Sequence, residues 1–349
     1  MKVVVIGASG NVGSRLVDAL LAHPDVTEVM GVARRPPERS DITWHTADVA
    51  TSDLRPLLRG ADVVVHLAWL LVPSRKPEML ARVNLGGTQA VLDAVAAEGI
   101  PALVYGSSIA AYAPGPKQPP VDETYPRTGI SSSLYSRQKA AAERLLDVFE
   151  EQHPERRVVR IRPGIVLQAE AASSLARYFL GPLIPQRVIR PGLLGVVPRT
   201  PDLAFQAVHA SDLAEAYVAA VTRPATGAFN VAGSPVLDAA ALAQALQARQ
   251  VPVPRAVLRT AVAAAWRLRL LPMDPGWVDL GTQGPLMDCG RARRELGWTP
   301  KVDVRDALAE VVAAMGDGEG ADTPVLRPRE AGLRRRVEAL AVATGRDRR

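Results

Sequence analysis

The sequence predicts an α/β chain, with a doubly wound parallel sheet followed by a smaller, discontinuous C-terminal domain. Three observations carry this reading. Short β-branched runs alternate with helical stretches from residue 1 to about residue 165, the pattern of a parallel sheet covered by helices on both faces. The first run ends directly in a glycine-rich turn that opens a helix. After Pro163 the alternation gives way to segments punctuated by Pro182, Pro185, Pro191, Pro198 and Pro201, which read as loops beside a short helix.

Lys2-Val3-Val4-Val5-Ile6 is apolar and β-branched, a buried parallel strand. Gly7-Ala8-Ser9-Gly10-Asn11-Val12-Gly13 follows at once, and Val12, Leu16, Leu20 and Leu21 keep helical spacing. In such a turn Gly7 permits the tight bend, Gly10 the close approach of a pyrophosphate, and Gly13 the packing of helix on strand. Free N–H groups at the helix start face the phosphates. The turn, with Ser9, Asn11 and Val12 in it, is the expected dinucleotide site of a Rossmann-type fold. The second strand ends at Glu28–Arg35. An NAD site places a carboxylate there for the ribose 2′-OH, but this chain has Ala33, then Arg34 and Arg35. Arginine suits a 2′-phosphate, so NADP(H) is favoured, with NAD(H) as the alternative and a solvated basic turn as the bland account. Further strands are read near 42–46, 62–67, 102–106 and 158–162, a helix over 209–221 and a strand over 227–231.

Tyr135 and Lys139 stand four residues apart at the head of an alanine-rich run, hence on one face if that run is helical. A lysine cation beside a phenol favours the phenolate and lowers a pKa that starts near ~10. Such a phenol can exchange the proton of a carbonyl/alcohol pair while a cofactor moves the hydride. The spacing alone is common by chance.

Together with Ser108, these residues resemble the extended short-chain dehydrogenase/reductase family, the NAD-dependent epimerase/dehydratase group, from residue 1 to about 312. The resemblance implies that Asp48 and Val49 meet the adenine, and that the strand end at Leu67-Ala68 passes beside the cofactor. Asn84 would support the active site, and Arg162-Pro163-Gly164 would run under the nicotinamide. It implies Ser108, Tyr135, Lys139 and Asn84 as the catalytic set, with Lys139 also on the nicotinamide ribose. Val208–Ala214 and Leu296–Pro300 match late family signatures. Each residue also has an ordinary reading. Ser108 can bond a nearby backbone group, Asp48 can cap the following turn, Asn84 can cap a helix, and His66 is expected to pack.

Substrate choice is less determined. Family dehydratases carry an acidic pair where this chain has Ile109-Ala110, which disfavours dehydration. The layout resembles UDP-glucose 4-epimerase-like members but departs from them at Ala33 and at Pro163-Gly164-Ile165. Arg177, Arg187, Arg190 and Arg199 suit a diphosphate; Trp69-Leu70-Leu71-Val72 and the apolar 178–197 segment suit a hydrophobic ketone or sterol equally well. The expected substrate contacts are Trp69, Ser108, Gly164, Arg177 and Arg190. The chemistry expected is hydride transfer at a secondary alcohol or ketone carbon, either as nucleotide-sugar epimerisation or as reduction of an apolar ketone. A non-catalytic cofactor sensor would need a broken Ser-Tyr-Lys set, and the set is intact.

The 349 residues divide into a dinucleotide-binding part, 1–165 with 206–231, a substrate part, 166–205 and 232–312, and a linker and basic tail, 313–349. Gly316–Gly320 reads as a flexible linker. Nearly half the residues (48%) are apolar, enough for a large core. Five histidines and one cysteine, without ligand spacing, make a metal site improbable. The single Cys289 rules out an intrachain disulfide and, with no leader-like or ~20-residue apolar run, points to the cytoplasm. The net charge is +6; from Ala321 onward eight arginines oppose four acids, so the tail holds +4 of it. A basic tail is ordinarily solvated. The expected partner is a small-molecule substrate, with no nucleic acid and no membrane, and a homodimer is left open.

Overall fold

The computed structural model describes residues 1–72, 75–179, 191–193, 195–321, 323 and 326. Its centre is a seven-stranded, wholly parallel sheet built from β1 (Lys2–Ile6), β2 (Glu28–Ala33), β3 (Thr43–Thr46), β4 (Val63–His66), β5 (Ala102–Gly106), β6 (Arg157–Pro163) and the edge strand Gly227–Val231. The spatial order is Gly227–Val231, β6, β5, β4, β1, β2, β3. The chain leaves β1 toward β2 and β3 on one side and returns to β4 on the other. The crevice beyond the ends of β1 and β4 is therefore the topological switch point, where open parallel sheets bind ligands. Ile6 is in register with His66 of β4 and Val32 of β2, which brings the residues after these three strands to one edge.

Alternate residues of each strand enter different cores, as the period of two requires. Val3, Val5, Val65, Val104, Ile161 and Phe229 pack with Leu16, Val17 and Leu20 of helix α1 (Asn11–Leu21) and with Leu213 and Tyr217 of the helix Ala210–Thr222. Val4, Ile6, Val32, Val64, Leu103 and Tyr105 pack instead with Val91, Val95, Leu146 and Phe149. Both faces are covered, which is why these strands read as unbroken apolar runs. A third, smaller core joins Leu167, Leu237, Val304, Leu308, Val311 and Val312, three stretches far apart in sequence.

The expected flexible linker at Gly316–Gly320 is corrected by the structure. Helix Val304–Asp317 runs through Gly316, which is buried, and ends on Gly318 at φ +74°, whose N–H bonds the carbonyls of Ala314 and Met315. Only glycine enters that left-handed region at little cost, so the glycine cluster closes a helix instead of loosening the chain. Leu326 beyond it is 1% exposed. The basic tail from Arg327, and Val325, lie outside the described residues. Among the described residues no helix is long and apolar enough to cross a membrane.

Candidate active site

The glycine turn is shaped by contacts that a side chain would break. Gly7 has φ +90°, and a Cβ there would lie 2.6 Å from the Ala68 nitrogen; one on Gly13 would lie 2.3 Å from the Gly7 carbonyl oxygen. Helix α1 starts from Gly10 with no side-chain cap and no acidic residue in its first turn, which leaves N–H donors and the positive end of the helix for an anion. One cavity is lined by Gly7, Ser9 and Gly10 of this turn, by Ala33 at the end of β2 with Arg34 and Arg35 after it, by Asp48 and Val49 after β3, and by Leu67, Ala68 and Trp69 after β4. The residues present fit a dinucleotide, because the glycine cradle is built of positions where a Cβ cannot stand. Arg34 and Arg35 are both exposed at its rim. Asp48 also serves its turn, accepting from the Ala50 N–H at 3.0 Å.

Asn11, Val12, Gly13 and Pro163 do not line that cavity. Asn11 accepts through its backbone carbonyl from the Gln168 amide at 2.7 Å, Val12 packs on the core, and Pro163 is buried at the end of β6.

Beside the cavity stands the helix Leu134–Gln152, capped by Ser133, whose hydroxyl accepts from the Ser136 N–H. Tyr135, Lys139 and Glu143 follow at four-residue steps on one face. The Tyr135 ring stacks on Trp277 with centroids 5.1 Å apart and meets Trp69 edge-on at 6.2 Å. Ser108 is near enough to the phenol to lower its pKa, and its oxygen accepts from the Ala110 N–H at 3.1 Å. Lys139, 3% exposed, donates to the Gly106 carbonyl at 2.8 Å and lies 3.7 Å over the Trp69 ring. Asn84 is not a helix cap. Its Oδ1 accepts from the Leu70 N–H at 2.7 Å, and its amide donates to the Leu70 carbonyl and to Gln138, fastening the loop after β4 to the Tyr135 helix.

Electrostatics at this set differ from the expectation. Burial raises the Tyr135 pKa, against Ser108, which lowers it. Lys139 is not what tunes the phenol here. Its own pKa is pushed down to about 7 by burial, against the pull of Glu143. The ammonium is directed at a carbonyl and an indole face, and desolvation dominates both groups. Glu143 is fully buried; burial pushes it up, but Arg162, Ser107 and Arg160 outweigh that and hold it at about 2. Arg162 grips both carboxylate oxygens at 2.7 Å, and Ser107 donates to one at 2.5 Å. His66 is held by burial, and then by Lys139, at about 3 and contacts Thr88 at 3.2 Å, in keeping with the packing role expected for it.

The family model described as NAD dependent epimerase/dehydratase family matches residues 3–232. The chain belongs to this family. An L-arabinose 1-dehydrogenase (NAD(P)(+)) of Haloferax volcanii is 30% identical over 236 residues, covering 60% of this chain and 89% of that protein. A decarboxylating sterol-4-alpha-carboxylate 3-dehydrogenase of Saccharomyces cerevisiae is 24% identical over 367 residues, covering 91% and 98%. Among solved structures, the UDP-glucose 4-epimerase of Thermus thermophilus in complex with NAD superposes with a TM-score of 0.67 at 21% identity, over 90% of this chain and 99% of that one. The last likeness is one of fold.

Within this family member, the expected substrate contacts separate. Trp69 and Ser108 stand at Tyr135. Gly164 has a packing reason instead, since a Cβ would lie 2.4 Å from the Gln206 carbonyl oxygen. Arg177 donates to Ser174 within the helix Ala172–Phe179 and does not line the cavity. Arg187 and Arg190 lie outside the described residues. Trp277 and Glu143 were missed by sequence reasoning. Glu143 carries a readable signal, a second four-residue step after Tyr135 and Lys139; Trp277 arrives from a distant helix, Gly276–Gln283, and carries none.

Proposed function

We propose that this chain is an NAD(P)(H)-dependent oxidoreductase acting at a secondary alcohol or ketone carbon, with Ser108, Tyr135 and Lys139 as its catalytic residues, Asn84 positioning them, and NADP(H) as the preferred cofactor. The observation that carries the reading is the Tyr135 phenol, beside Ser108 and walled by Trp69, which also lines the glycine-turn cavity. When bound, the cofactor supplies or takes the hydride at its nicotinamide ring. In the reducing direction Tyr135 gives its proton to the carbonyl oxygen, and Ser108 orients that oxygen; in oxidation Tyr135 takes the hydroxyl proton. A phenol whose pKa burial has raised is fully protonated near neutrality, which suits it as the acid of a reduction. Lys139 supplies positive charge beside the reacting group when protonated.

The flat indoles of Trp69 and Trp277 on two sides of Tyr135 favour an apolar substrate. Relatives with full-length coverage include the sterol dehydrogenase, in line with that preference. The other reading, nucleotide-sugar epimerisation, draws on the similarity to a UDP-glucose 4-epimerase of Streptomyces lividans, 28% identical over 64% of this chain and 72% of that protein. Tightly held NAD⁺ in the purified protein would favour it, and an exchanging NADP(H) site would favour the reductase.

Ala33 at the end of β2, with Arg34 and Arg35 at the cavity rim, supports NADP(H). Calorimetric titration tests this. NADPH should bind more tightly than NADH, and Arg34→Ala should cost NADPH on the order of 1.5–3 kcal/mol, as for a charged hydrogen bond, while leaving NADH alone. Tighter NADH binding by the unaltered protein would show that Arg34 faces solvent.

A further inference from the structure

Beside the Tyr135 pocket, the helix Arg255–Arg267 and the turn after it carry a surface that neither the fold nor the proposed chemistry uses. Val257, Ala261, Ala264 and Leu268 recur at steps of four, three and four, so they share one face, and all four are exposed. Val257 is 57%, Leu268 70% and Leu270 50% exposed, whereas Val262, on another side of the helix, is buried. The segment that carries this face is basic. Between residues 249 and 273 the chain has five arginines and no acidic residue. Arg255 and Arg259 share the carboxylate of Asp279, and Arg249, Arg267 and Arg269 are exposed.

We infer that this face docks on an anionic lipid surface, lying in the plane of the interface without crossing it. An apolar helix face rimmed by arginines matches a bilayer twice over, with acyl depth for the leucines and negative headgroups for the guanidinium groups. A second copy of this chain fits less well. A two-fold contact through the face would gather the exposed arginines of both copies in one interface, with no acidic residue between 249 and 273 of either copy to pair them. The face also adjoins the site: Arg75, just after the loop that carries Trp69, sits 4.2 Å over the ring of Trp266 and donates to its carbonyl. Eight residues beyond Leu268 begins the helix whose Trp277 stacks on Tyr135. Docking there brings the pocket to the surface from which an apolar substrate would be drawn. The clause about substrate rests on the proposed function; the docking itself does not.

The test is flotation of the full chain with vesicles of equal parts phosphatidylcholine and phosphatidylglycerol, with pure phosphatidylcholine for comparison. The protein should float with the anionic vesicles, less so in high salt, and poorly with the neutral ones. Leu268→Asp with Leu270→Asp should weaken partition on the order of a hundredfold, and Arg267→Glu by at least roughly fivefold. Both variants should bind NADPH as before, which verifies their fold, and Tyr135→Phe should float like the unaltered chain, which separates docking from catalysis. Wild-type protein that binds NADPH but stays off anionic vesicles overturns the inference. So does flotation that survives the double leucine change, or a dimer that the same change dissociates while flotation is absent.

Discussion

Lys139 carries its charge where charge is costly, and this sets a pH dependence that can be measured without a substrate. Burial moves its pKa from the ordinary 10.5 down to about 7, against the opposing influence of Glu143. Between those two values the unfolded chain binds a proton that the folded chain does not, so folding stability rises with pH across that window; below about 7 both states hold the proton and the dependence vanishes. Relative to Lys139→Met, the unaltered protein should gain up to ~1.4 kcal/mol per pH unit between about pH 7 and 10 in urea unfolding without cofactor. Parallel stability profiles for the two proteins would mean the ammonium is solvated. Arg34 belongs to the same scale, since its exposure at the cavity rim leaves it free to meet a phosphate.

At the scale of elements, the Tyr135 helix is held in place by the carboxylate two turns beyond Tyr135. Glu143 accepts from Ser107 at the end of β5 and from Arg162 of β6, so one buried group ties the helix to two strands. Its pKa is depressed to about 2 from 4.5. The stability this contributes is complete above about pH 4.5 and is lost as pH falls toward 2. Glu143→Gln should therefore cost roughly 3 kcal/mol at neutral pH in urea melts and flatten the acid limb of the stability profile. A loss below ~1 kcal/mol would mean that Arg162 finds another partner. The strands and the glycine turn were legible because local rules decide them: β-branched runs for β1 to β6, and steric necessity at Gly7 and Gly13. The sites at Trp277 and Gly164 were not, because their neighbours come from distant segments and spacing cannot report them; Arg177 instead turns back to Ser174 on its own helix. The basic face at Arg255–Arg267 escaped for another reason: a search for a long apolar run does not detect an apolar stripe on a charged helix. Desolvation of Lys139 was equally hidden, since Tyr-x-x-x-Lys spacing says nothing about how deep the pair lies.

For the whole molecule, the end of the described chain is structural rather than loose. Gly318 closes the last helix, and Leu326 is buried beyond it. A chain ending at Leu326 should fold, bind cofactor and melt within a few degrees of the full protein. One ending at Gly316 should be less stable by roughly 2–4 kcal/mol through the lost cap and lost apolar burial. Equal melting of the two would show that Leu326 contributes nothing. One sheet brings a cavity fit for a dinucleotide and a proton-bearing phenol together, the pairing that the proposed hydride chemistry needs. The most direct test of that chemistry follows the absorbance of NADPH with a panel of apolar ketones, comparing the unaltered protein with Tyr135→Phe. NADPH should be consumed with at least one ketone, and the variant should lose ~10²–10⁴ in rate with its NADPH affinity unchanged. Turnover by Tyr135→Phe within a few-fold of the unaltered protein would contradict the proposed chemistry.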